Sequence, residues 1–227
     1  MNITPKAPYL ELLLYEATNC HAAHFGLYLR LMANLEHLAL ARRYAAGERD
    51  FRLEKLDLSG ADLSGLDFSE AWLRDSDFSG ANLRGCRFVG APMPGTNFSG
   101  ADLTGADLHG AVAAGAIFRQ TILVEASLRS ADLYGADLTE ANLTRADLTQ
   151  ADLSLVQATH AIFADARLAR AVLFSANLSQ ADLTGADLAL AENVSSAKFE
   201  GAQLPPGYEL VNNPRRSRFA KGFFEKI

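Results

Sequence analysis

Cysteine, methionine and tryptophan are scarce in this chain of 227 residues, at two, three and one. With only Cys20 and Cys86, no disulfide framework can carry the fold. No apolar run approaches the ~20 residues of a membrane-spanning helix. The chain opens without a basic stretch leading into an apolar segment, so it shows no secretory signal. It has no glycine-rich phosphate loop, because its 17 glycines follow a different rule. These absences predict a cytoplasmic protein whose core is held by packing alone.

What is present is a chain able to bury a core, with 49% hydrophobic and 21% charged residues. The net charge of −6 is unevenly spread. Residues 1–50 balance five basic against five acidic groups. Residues 51–204 carry 11 basic and 20 acidic groups, and residues 205–227 carry five and two. An acidic middle and a basic end favour different surroundings.

The middle repeats with a period of five. Every fifth residue from Leu53 to Leu188 gives 28 positions, of which 19 are Leu, six Phe, one Met (Met93) and two Ala (Ala113 and Ala158). Two residues before each, Ala occupies 20 of the 28. Neither a helix face, with its period of 3.6, nor a strand face, with its period of 2, produces this pattern. One small and one large inward residue in every five require a chain that turns a corner every five residues. Four corners close a square of 20 residues, and such coils stack as parallel strands roughly 4.8 Å apart. The large residue fills the tube, and the small one lets the wall come close. Stacking at intervals of 20 puts Phe78, Phe98 and Phe118 in one column and Phe68 and Phe88 in another. Gly and Ser between repeats suit the tight turns.

The motifs "ADLSG", "ANLRG", "ADLTG" and "ANLSQ" resemble those of the pentapeptide-repeat family, A(D/N)LXX, over residues 51 to about 204. The resemblance implies an all-β solenoid, a right-handed quadrilateral β-helix with four pentapeptides per coil and about seven to eight coils. It also implies a bacterial source. In one branch of the family, the quinolone-resistance proteins, acidic tubes that look like a DNA duplex bind DNA gyrase or topoisomerase IV, and these proteins commonly dimerise.

The ends of such a tube expose pairing edges that have to be covered. Residues 1–50 are predicted to form a helical cap or interaction segment. Tyr28, Leu31, Leu35 and Leu38 are spaced as one apolar helix face. Helices here depart from the plain quinolone-resistance pattern, in which repeats start near the N-terminus. The phase of the repeat slips by one between Leu188 and Phe199, so a last coil through Phe199 and Leu204 is irregular. Pro205, Pro206 and Gly207 end the solenoid. Residues 205–227 then read as a cap or tail with a short basic amphipathic helix, Phe219, Phe223 and Phe224 on one side and Arg215, Arg216, Arg218 and Lys221 on the other. Both ends are candidates for capping or for a homodimer contact.

Nothing points to catalysis. A filled tube offers no concavity in which polar groups converge. Cys20 and His24 lie one helical turn apart with His21 adjacent, but His37 is too far along to complete a zinc site. Cys86 stands at the small inward position and acts as a small hydrophobe. We therefore expect no enzyme activity, metal or cofactor.

Recognition must then lie outside the tube. The outward residue before each large core residue is mostly Asp or Asn, as at Asp57, Asp77, Asp102, Asp107, Asp132, Asp137, Asp147 and Asp152. In the stretch "ADLTGADLHGAVAAGAIFRQ" the beat continues but the acid disappears: Val112 and Ile117, followed by Ile122, make an uncharged belt. Strand propensity alone accounts for such a belt, and so does a contact surface. One side of the square also collects Trp72, Pro92, Pro94, Val112, Tyr134, Val172 and Phe174, and Trp and Tyr are favoured interface anchors.

These residues predict a non-catalytic protein-interaction scaffold. The alternative is a DNA mimic acting on gyrase or topoisomerase IV. Duplex DNA carries one charge per ~1.7 Å, about twice the density of the repeat region. One column alternates its signs, Asp67, Arg87, Asp107, Ser127, Asp147, Arg167, Asp187, which relieves repulsion between stacked coils. A protein partner is expected, with no direct nucleic-acid or membrane contact.

Overall fold

A computed structural model describes residues 55–208. The chain divides into two units, Met1–Arg49 and Asp50–Ile227, and every described residue belongs to the second. The helices expected before the repeats and after Pro205, with the cap or dimer candidates Tyr28, Leu31, Leu35, Leu38, Phe219, Phe223 and Phe224, lie outside the described residues. So do Cys20, His21, His24 and His37.

The described chain is a β-solenoid. The residue before each large core residue pairs in parallel with the residue 20 further on, from Asp57 with Asp77 to Val172 with Glu192. Four such positions per coil make four walls, identified below by the first described residue of each column as the Asp57, Asp62, Asp67 and Trp72 walls. One step shows the bonding. Leu103 N–H donates to the Ile122 carbonyl (2.7 Å), Ile122 N–H to the Ala101 carbonyl (2.9 Å) and Gly105 N–H to the Val124 carbonyl (2.9 Å). Ala106 N–H closes the corner on the Leu103 carbonyl at 3.0 Å. The walls are too short to be the strands expected from the repeat: each corner interrupts the pairing after a single residue.

The corner residue takes a left-handed backbone. At Gly105 φ is +66° and nothing lies within 4 Å of where a Cβ would stand, so glycine is there for its backbone and not for space.

The interior is filled from wall to wall. Leu63, Leu83, Leu103, Leu123, Leu143 and the rest of the series are buried. Phe78, Phe98 and Phe118 stack with centroids 5.2 and 5.0 Å apart, and Phe68 stacks on Phe88 at 5.2 Å. The two columns meet edge-on, with Phe78 and Phe88 at 89°, the other favoured geometry for aromatic pairs. Where the small inward residue is polar, it bonds the preceding coil. The Thr96 and Thr121 hydroxyls donate to the Leu73 and Phe98 carbonyls (2.7 Å each), and Cys86 Sγ to the Leu63 carbonyl at 3.0 Å.

Two irregularities have local causes. Trp72 and Pro92 do not pair, although Leu73 N–H still donates to the Pro92 carbonyl. Proline has no N–H to return to the Ala71 carbonyl. At the far end the interval lengthens to 21, Asn177 pairing with Lys198 and Asp182 with Gln203. The extra residue is absorbed in a 3-10 turn, Val194–Ser196, entered through Asn193 at φ 56°, and Val194 is buried. Phe199 and Leu204 are only half-buried.

Candidate interaction face

The outward acids first serve the turns. Asp102 Oδ1 accepts the Thr104 N–H (3.0 Å) and the Thr104 hydroxyl, an Asx turn that shapes the corner. The N–H two residues on is likewise held by Asp57, Asp77, Asp107, Asp132, Asp137, Asp147 and Asp152. Val112, Ile117 and Ile122 cannot make this bond, and all three are exposed.

Much of the acid is neutralised within the tube. Arg87 and Arg167 reach along the alternating column to Asp67 (3.2 Å) and Asp147 (3.5 Å). A second set starts from the turns and lands on the pairing position of the next coil: Arg84 on Asp102 at 2.9 Å, Arg119 on Asp137, and Arg129 on Asp147 at 3.1 Å. Arg145 pairs with Glu125 at 2.8 Å. Partial burial pushes the Asp102 carboxyl up, but Thr104 and the Arg84 guanidinium together hold it below the usual carboxylate value. The same balance acts at Asp137, where Thr139 and Arg119 outweigh burial, and at Asp147, where Thr149, Arg129 and Arg167 do.

The exposed large apolar residues are not spread evenly. Trp72, Val112, Tyr134, Leu155 and Phe174 lie on the Trp72 wall or its following turns, Phe174 and Tyr134 at 51% and 49% exposure. Pro92, Pro94 and Val172 on the same side are half-buried. Ile117 projects from the Asp57 wall, and Ile122 and Ile162 from the Asp62 wall. The uncharged belt thus crosses several walls, whereas the Trp72 wall carries apolar surface along the stack. Leu155 was not among the sequence candidates. It sits at a corner with φ 59°, a position held mostly by glycine and polar residues, and a Leu at that phase, shared only with the exposed Leu190 among the described corners, was the available signal.

Asp132 and Asp152 occupy the middle of the Trp72 wall, directly paired. Tyr134, Ser154 and Phe174 follow at one turn position in three successive coils, linked by Gly135 N–H to the Ser154 carbonyl (2.8 Å) and Leu155 N–H to the Phe174 carbonyl (2.9 Å). Among the described residues, no helix is long and apolar enough to cross a membrane.

No curated protein gives a significant match to the chain. Solved structures similar to it include HetL from the cyanobacterium Nostoc, a pentapeptide repeat protein involved in heterocyst differentiation regulation. It is 30% identical over 73% of this chain and 91% of that one, with a TM-score of 0.33. QnrB1, a plasmid-mediated fluoroquinolone resistance protein, is 25% identical over 69% and 85%, with a TM-score of 0.42. A pentapeptide repeat protein from the cyanobacterium Cyanothece is 25% identical over 58% and 86%, at 0.40. The family described as pentapeptide repeats (8 copies) matches residues 50–80, 81–120, 114–150 and 151–188, more than half of the sequence. The chain belongs to the pentapeptide-repeat family.

Proposed function

We propose that the protein is a non-catalytic interaction scaffold, and that its Trp72 wall is the recognition face. The observation that carries this reading is the concentration of exposed Trp72, Val112, Tyr134, Leu155 and Phe174 on one side of a tube whose inward residues are buried. Contiguous exposed apolar surface marks contact sites, and large aromatics supply most of the energy in such contacts. Val172 extends the face, and Ile117 flanks it on the neighbouring Asp57 wall, while Ile122 lies on the opposite side of the tube. Residues 1–50 and 205–227 would cover the ends or join two copies.

The test is a triple variant, Trp72→Ala/Tyr134→Ala/Phe174→Ala, compared with the unaltered chain by photo-crosslinking in cells from a probe at Val112. The expected result is an unchanged melting curve with loss of the crosslinked species. Persistence of the same species would overturn the reading.

The gyrase-binding alternative draws on the acidic residues, among them the stacked pairs Asp57–Asp77 and Asp132–Asp152. The ion pairs at Asp67, Asp102, Asp137 and Asp147 weigh against it, because a duplex mimic needs unbroken negative charge. In a gyrase supercoiling assay, micromolar protein is expected to leave the activity unchanged. Inhibition, or protection from a quinolone, would favour the mimic instead.

A further inference from the structure

The middle of the Trp72 wall is built against the electrostatic rule followed along the Asp67 wall. There, an arginine separates or answers stacked acids, as at Asp67–Arg87 and Asp147–Arg167. Asp132 and Asp152 face each other in direct pairing, and neither forms an ion pair with any described residue. Like charges directly opposed on neighbouring strands destabilise the pairing. Asp57 and Asp77 stack in the same way, but at Asp132 and Asp152 the cost falls in the middle of the wall that carries the exposed aromatics, which marks a place selected for something besides stability.

A second observation lies beside them. Ser154, on the turn after Asp152, is only 7% exposed. Its N–H goes to Asp152 Oδ1 (2.8 Å), but its hydroxyl has no partner among the described residues. At Ser59, Ser99, Thr104, Thr144 and Ser179 the equivalent hydroxyl donates to its own Asp or Asn, whereas at Ser69 and Thr149 it too has no partner; among these unpartnered hydroxyls, that of Ser154 stands between two exposed aromatic residues. Tyr134 and Phe174 hold the positions on either side of Ser154. At roughly 4.8 Å per coil the two side chains are rooted roughly 10 Å apart, one coil on either side of Ser154.

We propose that this notch receives an arginine side chain from a partner protein, in a segment that also carries apolar residues. The proposal rests on the Trp72 wall being the recognition face and names the chemistry it selects. The guanidinium, with five donors and a planar fork, meets the Asp132 and Asp152 carboxylates and the Ser154 oxygen. The aliphatic stem lies between Tyr134 and Phe174, whose rings also attract the cation. The partner's apolar residues cover Val112, Leu155 and Val172. Bringing in a cation relieves the repulsion of the stacked acids, so binding restores the compensation that Arg87 and Arg167 supply on the Asp67 wall.

The test uses the full chain and a fluorescein-labelled octapeptide of alternating leucine and arginine, with the same peptide in which citrulline replaces arginine. Citrulline keeps the shape and loses the charge. Anisotropy titration at low salt is expected to show binding of the arginine peptide and at least tenfold weaker binding of the citrulline peptide. Asp132→Asn/Asp152→Asn should weaken the arginine peptide by about tenfold or more. Asp182→Asn/Asp187→Asn removes the same charge from other walls and should change little. Equal loss in both double variants would reduce the effect to general attraction and overturn the proposal. Loss only in Trp72→Ala/Tyr134→Ala/Phe174→Ala, with Asp132→Asn/Asp152→Asn unaffected, would leave the face standing and remove the arginine. Absence of binding to the unaltered chain, or binding unaffected by either set of changes, would overturn the notch. Binding seen only after Arg215, Arg216 and Arg218 are changed to Gln would make the chain's own tail the occupant and overturn a separate partner.

Discussion

The coils up to Phe118 and the coils after it solve the same corner differently. From Gly60 to Gly115, ten of the 12 left-handed corner residues are glycine; from Gln120 to Gly185, two of 14 are. The first region stacks Phe68, Phe78, Phe88, Phe98 and Phe118, while the second is filled mainly by Leu. A non-glycine residue at positive φ costs roughly 1–2 kcal/mol. The later coils therefore carry a backbone cost at corner after corner and still keep the same ladder of hydrogen bonds. Each coil is held by neighbours on both sides, so the stack imposes the corner on residues that would not choose it.

The largest expected effect comes from charging the later core. Leu138→Asp places a carboxylate in a fully buried position with no partner, and burial of an unpaired charge is prohibitive. The solenoid should unfold or aggregate, seen as loss of a cooperative melt. An unchanged curve would break the filled-tube account of both regions.

Next comes Phe98→Ala, which empties the ring between Phe78 and Phe118. It should cost about 3–5 kcal/mol in denaturant unfolding. Leu143→Ala, in the other region, should cost about 2–5 kcal/mol. A clearly smaller loss at Phe98 would mean that the stacked rings add nothing beyond their volume.

Changing the corners sharpens the comparison directly. Gly105→Ala should destabilise by about 1 kcal/mol, from the left-handed backbone alone. His160→Gly, at φ 61°, should be neutral or stabilising by up to about 1 kcal/mol. If both changes destabilise equally, the corner cost is not the difference between the regions.

The smallest effect is on acid stability. The carboxyls of Asp102, Asp137 and Asp147 titrate below their usual range in the folded chain. The unfolded chain, at about 3.9, takes up protons first as the pH falls. The stabilisation is therefore complete above about pH 5 and is lost progressively as the pH drops past the unfolded value and through the folded ones. Melting temperatures should stay level from neutral pH to about pH 5 and then fall. Asp147→Asn should flatten part of that fall, and an unaltered slope would show that the Arg129 and Arg167 pairs do not contribute.

The period of five, the large and small inward positions, the aromatic columns and the slip after Leu188 were legible because each follows from counting residues. The slip appears as the Val194–Ser196 turn and the change of interval to 21. Counting by 20 also exposed the Asp67–Arg87 and Asp147–Arg167 pairs. It missed Arg84–Asp102, Arg119–Asp137 and Arg129–Asp147, which run diagonally over 18 residues because a long side chain leaves a turn and lands on the next wall. It missed the broken pairing at Trp72, which depends on the absent N–H of a residue one coil away.

The amino-acid order alone determined that the chain coils, where it turns and which side chains go inside, because a repeat of five with one small and one large residue admits few other packings. Only the tertiary structure decided that Asp102, Asp137 and Asp147 are answered diagonally by Arg84, Arg119 and Arg129, that the pairing breaks at Trp72, and that Ser154 is buried in the coil between those of Tyr134 and Phe174. Those relations join residues 18 to 40 apart, and distance along the chain becomes contact in space only once the coils have stacked.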